Sequence, residues 1–268
     1  MPEITLPRFE MIRLALRGSV AVLTLNRPQR LNAAPPQMFA EIHDALRILP
    51  DLGARALLIT GEGRAFCSGA DVQDMGSATG SRGDNTRKLL AEVYSPVMLA
   101  LSQLTVPVIA AVNGVAAGIG CSLALAADFT LAARSAYFLE AFVNIGLVPD
   151  GGATWMLARQ VGKARATEMM MLGERIPAER AEQWGLIYRA VDDAELMNQA
   201  LALAERLANG PTLALGLMRR GLALALSQSY EDAMAAEAVH QGRAADSADA
   251  AEGGRAFLER RKAVFRGA

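Results

Sequence analysis

The chemistry this chain offers first comes from backbone groups. Ala110-Ala111-Val112-Asn113-Gly114-Val115-Ala116-Ala117-Gly118-Ile119-Gly120-Cys121-Ser122 begins apolar and β-branched, bends at Asn113-Gly114, and carries two more glycines into Ser122-Leu123-Ala124-Leu125-Ala126. Residues 106–112 fit a buried strand, and 122–126 read as a short buried helix. A strand, a glycine-rich bend and a helix start leave N–H groups unpaired at the positive end of the helix. Those groups suit an anion, or a carbonyl oxygen that becomes one during reaction. A tight structural turn has the same pattern. A second stretch of the same kind, Ala65-Phe66-Cys67-Ser68-Gly69-Ala70-Asp71, moves the balance toward chemistry.

Other chemistries find less support. There is no G-x-x-x-x-G-K phosphate loop and no G-x-S-x-G nucleophile elbow. Gly118-x-Gly120-x-x-Leu123 lacks the last glycine of a dinucleotide fingerprint. His43 sits in an ordinary amphipathic pattern and His240 lies near the C-terminus, neither beside a nucleophile. With two histidines and two cysteines far apart, a structural zinc site is not expected. Cys67 and Cys121 lie among small apolar residues and read as free buried thiols of a reducing cytoplasm.

The elements that must position these groups follow from length and pattern. A chain of 268 residues, 52% hydrophobic, holds one large or two small domains with a sizeable core. The net charge of −1 gives no reason to expect a polyanionic partner such as nucleic acid. No apolar run approaches the ~18 residues of a membrane helix, and Met1-Pro2-Glu3-Ile4-Thr5 does not look like a signal peptide. Residues 9–26 predict a hairpin turning at Gly18. A helix should start near Pro35-Pro36 with Met38, Ile42, Ala45 and Leu46 on its apolar face. Short strands are expected at 54–60, 106–112 and 128–133, and a helix kinked by Pro96 at 86–104. Residues 76–85 read as a mobile polar loop. From Lys163 the chain reads as mostly helical, in segments near 163–173, 178–184, 193–209, 211–226, 229–243 and 248–263. The whole predicts an α/β core with a helical C-terminal part, and no clean internal repeat is visible.

Several of these stretches resemble the crotonase (enoyl-CoA hydratase/isomerase) superfamily in order and spacing. They are Leu25-Asn26-Arg27-Pro28…Leu31-Asn32-Ala33, Gly63-Arg64-Ala65-Phe66-Cys67-Ser68-Gly69-Ala70-Asp71, Ala111-Val112-Asn113-Gly114-Val115-Ala116-Ala117-Gly118, Gly146-Leu147-Val148-Pro149 and Ala256-Phe257-Leu258-Glu259-Arg260-Arg261. The resemblance implies a spiral of β-β-α units over residues 1–200 and a helical oligomerisation region over 201–268, building trimers or hexamers. It implies acyl-CoA thioester substrates, with coenzyme A as part of the substrate and no metal or redox cofactor. The amides of Ala70 and Ile119 match the family's oxyanion hole, which holds the thioester oxygen as an enolate forms; Ile119 stands where the family usually has glycine. Arg30 and Leu31 match the loop beside adenine and pantetheine. The segment with Ser68, Ala70, Asp71 and Val72 borders the same ligand, and Arg261, with Arg260 and Lys262, is a candidate for its phosphates, from its own or from a neighbouring subunit.

The departures from the pattern carry more information. Family hydratases hold water with two glutamates; here those positions are Ser122 and Phe142, neither a general acid or base near neutral pH. Asp150 stands where family isomerases keep a proton-shuttling acid, and Val143-Asn144-Ile145-Gly146-Leu147-Val148-Pro149-Asp150-Gly151-Gly152 resembles the ring-opening isomerases of phenylacetate breakdown. Glu140, read as lying in a strand, is the rival acid. Asp71 is expected to brace the oxyanion loop and Asp74 to be exposed. The expected function is a cytoplasmic acyl-CoA isomerase working through a thioester enolate. The alternatives are a hydratase or hydrolase using another acid, or a catalytically silent acyl-CoA-binding oligomer.

Overall fold

A computed structural model describes residues 7–71, 81–225 and 227–268. It is an α/β structure with two sheets and a helical C-terminal end. Strands β1 (Ile12–Arg17) and β2 (Val20–Leu25) form the hairpin, with Gly18 at φ 58° making a turn that matches strand twist. Helix α1 (Pro36–Ile48) starts at its proline and buries Met38, Phe39, Ile42, Ala45 and Leu46; Pro50 follows its end.

From there the chain repeats one plan. A strand of the large sheet is followed by a strand of the small sheet and then by helix: β3 (Ala56–Gly61) with β4 (Ala65–Cys67), β5 (Val108–Val112) with β6 (Val115–Ala117), and β7 (Phe129–Ala133) with β8 (Tyr137–Leu139). Like strands pair with like, so β2-β3-β5-β7 and β4-β6-β8 are parallel. This is the expected spiral of β-β-α units. β3 and β5 are buried at every residue, which accounts for their unbroken apolar runs.

The helix after β4 contains an instructive departure. Helix α2 (Arg82–Leu89), capped by Ser81, already takes in residues 82–85 of the expected polar loop; positions 72–80 lie outside the described residues. A π-turn at Leu90–Tyr94 then leads into α3 (Ser95–Gln103). Pro96 cannot donate to the preceding turn, so the ladder slips there to Ser95 N–H on the Leu90 carbonyl, and the expected kink takes this form.

Helix α4 (Ile119–Leu125) follows β6; α5 (Ala153–Gln160) and α6 (Gly162–Leu172) follow β8. Two short strands interrupt the region expected to be helical: β9 (Ile176–Pro177), antiparallel to β8, and β10 (Arg189–Val191), parallel to β7. At two and three residues they are too short to show a period. Helix α7 (Ala178–Gln183) lies between them, and α8 (Leu196–Ala208) packs on β3 and β5 through Ala200 and Ala204. Position 200 thus falls inside a core helix.

Beyond it, α9 (Thr212–Ala225) buries Leu217, α10 (Tyr230–Ala245) buries nothing, and α11 (Ala248–Leu258) buries Asp249 and Ala256. Arg219 anchors α9 through Asp128 and the carbonyls of Leu101, Ser102 and Leu104. Among the described residues no helix is long and apolar enough to cross a membrane.

Candidate active site

The small sheet brings its three parallel strand ends together. Ser68-Gly69-Ala70 leaves β4, Gly118-Ile119 leaves β6, and Glu140 directly follows β8. Gly69 has φ 109°, and Gly118 has φ 52° with ψ −127°, conformations in which a side chain is strained. The two glycines also let the bends touch: a Cβ on Gly118 would lie 3.9 Å from Gly69 Cα, and one on Gly69 would lie 3.3 Å from the Ala117 carbonyl.

Backbone alternation then fixes where the N–H groups face. Ala34 donates to the Gly69 carbonyl at 2.8 Å, and Asp71 donates to the Ala34 carbonyl at 3.1 Å. Flanked by those two bonds, Ala70 turns its own N–H the other way. Gly118 donates to Leu139 O at 2.8 Å, and the next N–H, that of Ile119, opens α4 with no intrahelical acceptor. Neither amide is taken up by a backbone bond of the loops among the described residues.

Residues 27–34 hold this arrangement, and their role was not readable from the sequence. Leu31 and Asn32 are both left-handed, at φ 52° and 54°. The Asn32 side chain offsets that strain: fully buried, it accepts from Arg27 N and donates to the carbonyls of Glu62 and Ala65. Asn113 reaches the same turn from β5, accepting from Gly61 N and donating to Gly63 O. Arg27 Nη1 lies 2.7 Å from Asp71 Oδ2, with side-chain exposures of 17% and 7%, and also donates to Ala33 O. Tyr94 Oη donates to Ala34 O. Asp71 therefore ties the Ser68-Gly69-Ala70 bend to residues 27–34 through a nearly buried ion pair.

The acids lie on the other side of α4. Ser122, fully buried, spends its hydroxyl on the Asp150 carbonyl at 2.9 Å. Gly151 is packed so tightly here that a Cβ would sit 2.4 Å from Ile119 Cδ1. Asp150 is thus tied to the helix that begins with the Ile119 N–H. Its Oδ1 is buried with no hydrogen-bond partner, and burial lifts its pKa from 3.8 to about 6. Phe142 is buried, its ring 3.5 Å from where a Gly118 Cβ would be, so the space near the bend has an apolar wall.

Glu140 is not in a strand; it precedes the 3₁₀ turn Ala141–Ile145 just past β8, and its side chain makes no capping bond. It is fully buried, and neither carboxylate oxygen has a hydrogen bond of normal geometry. Burial raises its pKa to about 7; the Cys121 thiol lowers it somewhat, and Asp150 raises it further. Cys67 and Cys121 are free and buried, and burial pushes the Cys67 thiol up to about 11.

An open groove of about 430 Å³ lies outside the bend, lined by Gln29, Arg30, Leu31, Ala33, Arg64, Ser68, Ala70 and Asp71. It unites the expected ligand residues of both segments and adds Arg64, which had been read only as part of a motif. Val72 and Asp74 lie outside the described residues. Arg261 is not brought to the groove: it ends the α11 region, paired with Glu252 and Glu259. His43 and His240 sit on α1 and α10, neither in the groove.

Comparison with known proteins agrees with this architecture. The enoyl-CoA hydratase/isomerase family pattern matches residues 16–268. A "Probable enoyl-CoA hydratase" of Rhodobacter capsulatus is 44% identical, covering 97% of this chain and 99% of its own. The 1,2-epoxyphenylacetyl-CoA isomerase of Escherichia coli is 41% identical, covering 96% and 99%. Among solved structures, an enoyl-CoA hydratase subunit of Geobacillus kaustophilus superimposes with TM-score 0.90 at 37% identity, covering 97% and 99%.

Proposed function

The chain belongs to the enoyl-CoA hydratase/isomerase family, and within it we propose that it is an acyl-CoA isomerase, shifting a double bond or opening a ring through a thioester enolate. Asp150 carries this reading. It is a largely buried carboxylate with an unpartnered oxygen, tied to the start of α4, where Ser122 and Phe142 occupy the positions of the hydratase glutamates.

The proposed step breaks a C–H bond of the acyl chain. The proton goes to Asp150, and the electron pair moves into the thioester carbonyl. The N–H groups of Ala70 and Ile119 hold the resulting oxyanion, each worth roughly 3 kcal/mol by analogy with other oxyanion holes. Asp150 then returns the proton to a different carbon, so nothing is added or lost. The step needs a base and two N–H donors; coenzyme A enters as part of the substrate, with its recognition assigned to the groove of Arg30, Leu31, Arg64 and Ser68. Residues 201–268 are proposed to assemble trimers or hexamers, because α9 and α10 leave a groove of about 740 Å³ with Met218, Leu222 and Met234 exposed. The buried free thiols support a cytoplasmic setting.

Hydration is the second reading, favoured by the name of the relative from Rhodobacter. The test separates the two. The purified protein should wash deuterium from the α or γ carbon of unsaturated acyl-CoA thioesters and should not hydrate crotonyl-CoA at enzymatic rates. Rapid hydration of crotonyl-CoA overturns the isomerase reading. Binding without exchange across the thioesters leaves the silent acyl-CoA-binding oligomer in its place.

A further inference from the structure

Glu140 has no structural task that explains it. It is wholly enclosed, neither carboxylate oxygen has a hydrogen bond of normal geometry, the weak donor beside it is the Cys121 thiol, and no cation pairs with it among the described residues. A neutral side chain of similar size would fill the space without the cost of an unsatisfied buried acid. Two buried carboxyl groups lie at this end of the small sheet, Glu140 at the end of β8 and Asp150 before α5, near enough for the Asp150 charge to raise the Glu140 pKa. Consecutive residues of α4 face them: Cys121 lies against Glu140, and Ser122 bonds the Asp150 backbone. Both acids have buried oxygen atoms without a hydrogen bond of normal geometry, and the thiol near Glu140 is a weak donor.

We propose that Glu140 is a positioning residue that holds a proton while Asp150 works as base, so that the pair carries a single buried charge that rests on Asp150. This deepens the isomerase reading and rests on it for its kinetic consequence. Glu140 is too enclosed to touch the thioester; it acts through Asp150. Two unpaired carboxylates in a dry space repel, so the pair loses its protons in two macroscopic steps. The first, near about 6, frees the Asp150 base; the second, near about 7, ionises Glu140 against that charge. The other titratable neighbour of Glu140 is Cys121 on α4, whose thiol is held well above its ordinary value by burial and by Glu140. β6, paired with β8, carries only Val115–Ala117 and brings no charge.

The test begins without substrate. Infrared difference spectra of the full-length protein taken through the neutral range should show two carboxyl bands titrating in turn, and the later band should be lost in Glu140→Gln. In Asp150→Asn, the band should titrate at lower pH than in wild type, because the charge that raised Glu140 is gone. If Glu140→Gln does not fold, the comparison of wild type with Asp150→Asn still decides. Absence of the band in wild type, or an unmoved titration in Asp150→Asn, overturns the proposal. The kinetic arm follows deuterium loss from trans-3-hexenoyl-CoA labelled at C2. Two inflections in the wild-type pH profile should become one in Glu140→Gln, the lower one being kept. Survival of both inflections overturns the proposal. An intact band shift with no exchange at all leaves Glu140 protonated and counts against the isomerase reading instead.

Discussion

Asp150→Asn should make the protein a poorer enzyme and, at neutral pH, a relatively more stable one. The carboxyl is carried from 3.8 to about 6 by burial. At about 1.4 kcal/mol per pH unit, ionising it in the fold costs roughly 3 kcal/mol. The sign follows from proton binding. A folded-state pKa above the unfolded one means that the folded state binds more protons between the two. The Asp150 contribution to wild-type stability is therefore undiminished below about 3.8, falls as pH rises to about 6, and is flat beyond. Asparagine does not titrate. The amide it introduces brings its own unsatisfied buried groups, an offset of about 1–3 kcal/mol that does not vary with pH. What is expected is thus a slope: the stability of the variant relative to wild type should rise by about 3 kcal/mol between pH 4 and pH 7. Urea unfolding at fixed protein concentration across that range measures it. Over the same range the variant should bind acyl-CoA normally and isomerise about 10²–10⁴-fold more slowly. A flat stability difference would refute the assignment of a raised, desolvated carboxyl. Full activity in the variant would refute its role as base.

Four further outcomes follow from the geometry. Gly118→Ala forces a side chain into φ 52°, ψ −127°, costing about 1–3 kcal/mol; turnover should drop about 10²-fold or more with acyl-CoA affinity kept, because the Ile119 N–H is displaced. Arg27→Met removes the guanidinium from the nearly buried Asp71 and should destabilise by about 3–5 kcal/mol; Arg27→Met with Asp71→Leu should recover part of this in chemical denaturation, and a fully additive pair would remove the brace. Arg64→Glu should weaken coenzyme A binding and flatten its salt dependence in calorimetric titration, whereas Arg261→Glu, already engaged with Glu252 and Glu259, should change it far less. Leu222→Glu, on the exposed apolar face of α9, should lower the mass seen by light scattering; a wild-type monomer at micromolar concentration would already refute the proposed assembly.

The sequence disclosed the strands that carry function better than the plan that repeats them. Residues 106–112 and 65–71 were readable because glycine-rich bends after apolar runs have a direct backbone meaning. The hairpin at Gly18 and the face of α1 followed from ordinary periodicity. The β-β-α repeat left no sequence repeat, because its strands need only be apolar and its turns differ in length. β9 and β10 pair for two or three residues, below any detectable period. The π-turn at Leu90–Tyr94 follows from Pro96 only once the helix is known to continue past it. Asn32, Asn113 and Arg27 were hidden for another reason. Besides two local bonds, their partners are backbone groups and a carboxylate 30 to 52 positions away, and no local pattern reports such bonds.

The two halves of the site also differ in how much substitution they bear. On the proposed reading the oxyanion contacts come from N–H groups, set by the positive-φ Gly69 and Gly118 and by Asn32, so an isoleucine at position 119 keeps the donor that a glycine would supply. The acid half depends on side chains and can be rewritten. Ser122 offers no proton chemistry and fixes the Asp150 backbone; Phe142 forms a wall. Both changes push the remaining acids the same way. An apolar wall and the absence of donors raise the cost of each charge, and a higher cost makes Asp150 a stronger base than an exposed aspartate. On this reading, losing the hydratase glutamates does more than remove hydration: it creates the dry surroundings in which a single aspartate can take a proton from carbon and return it.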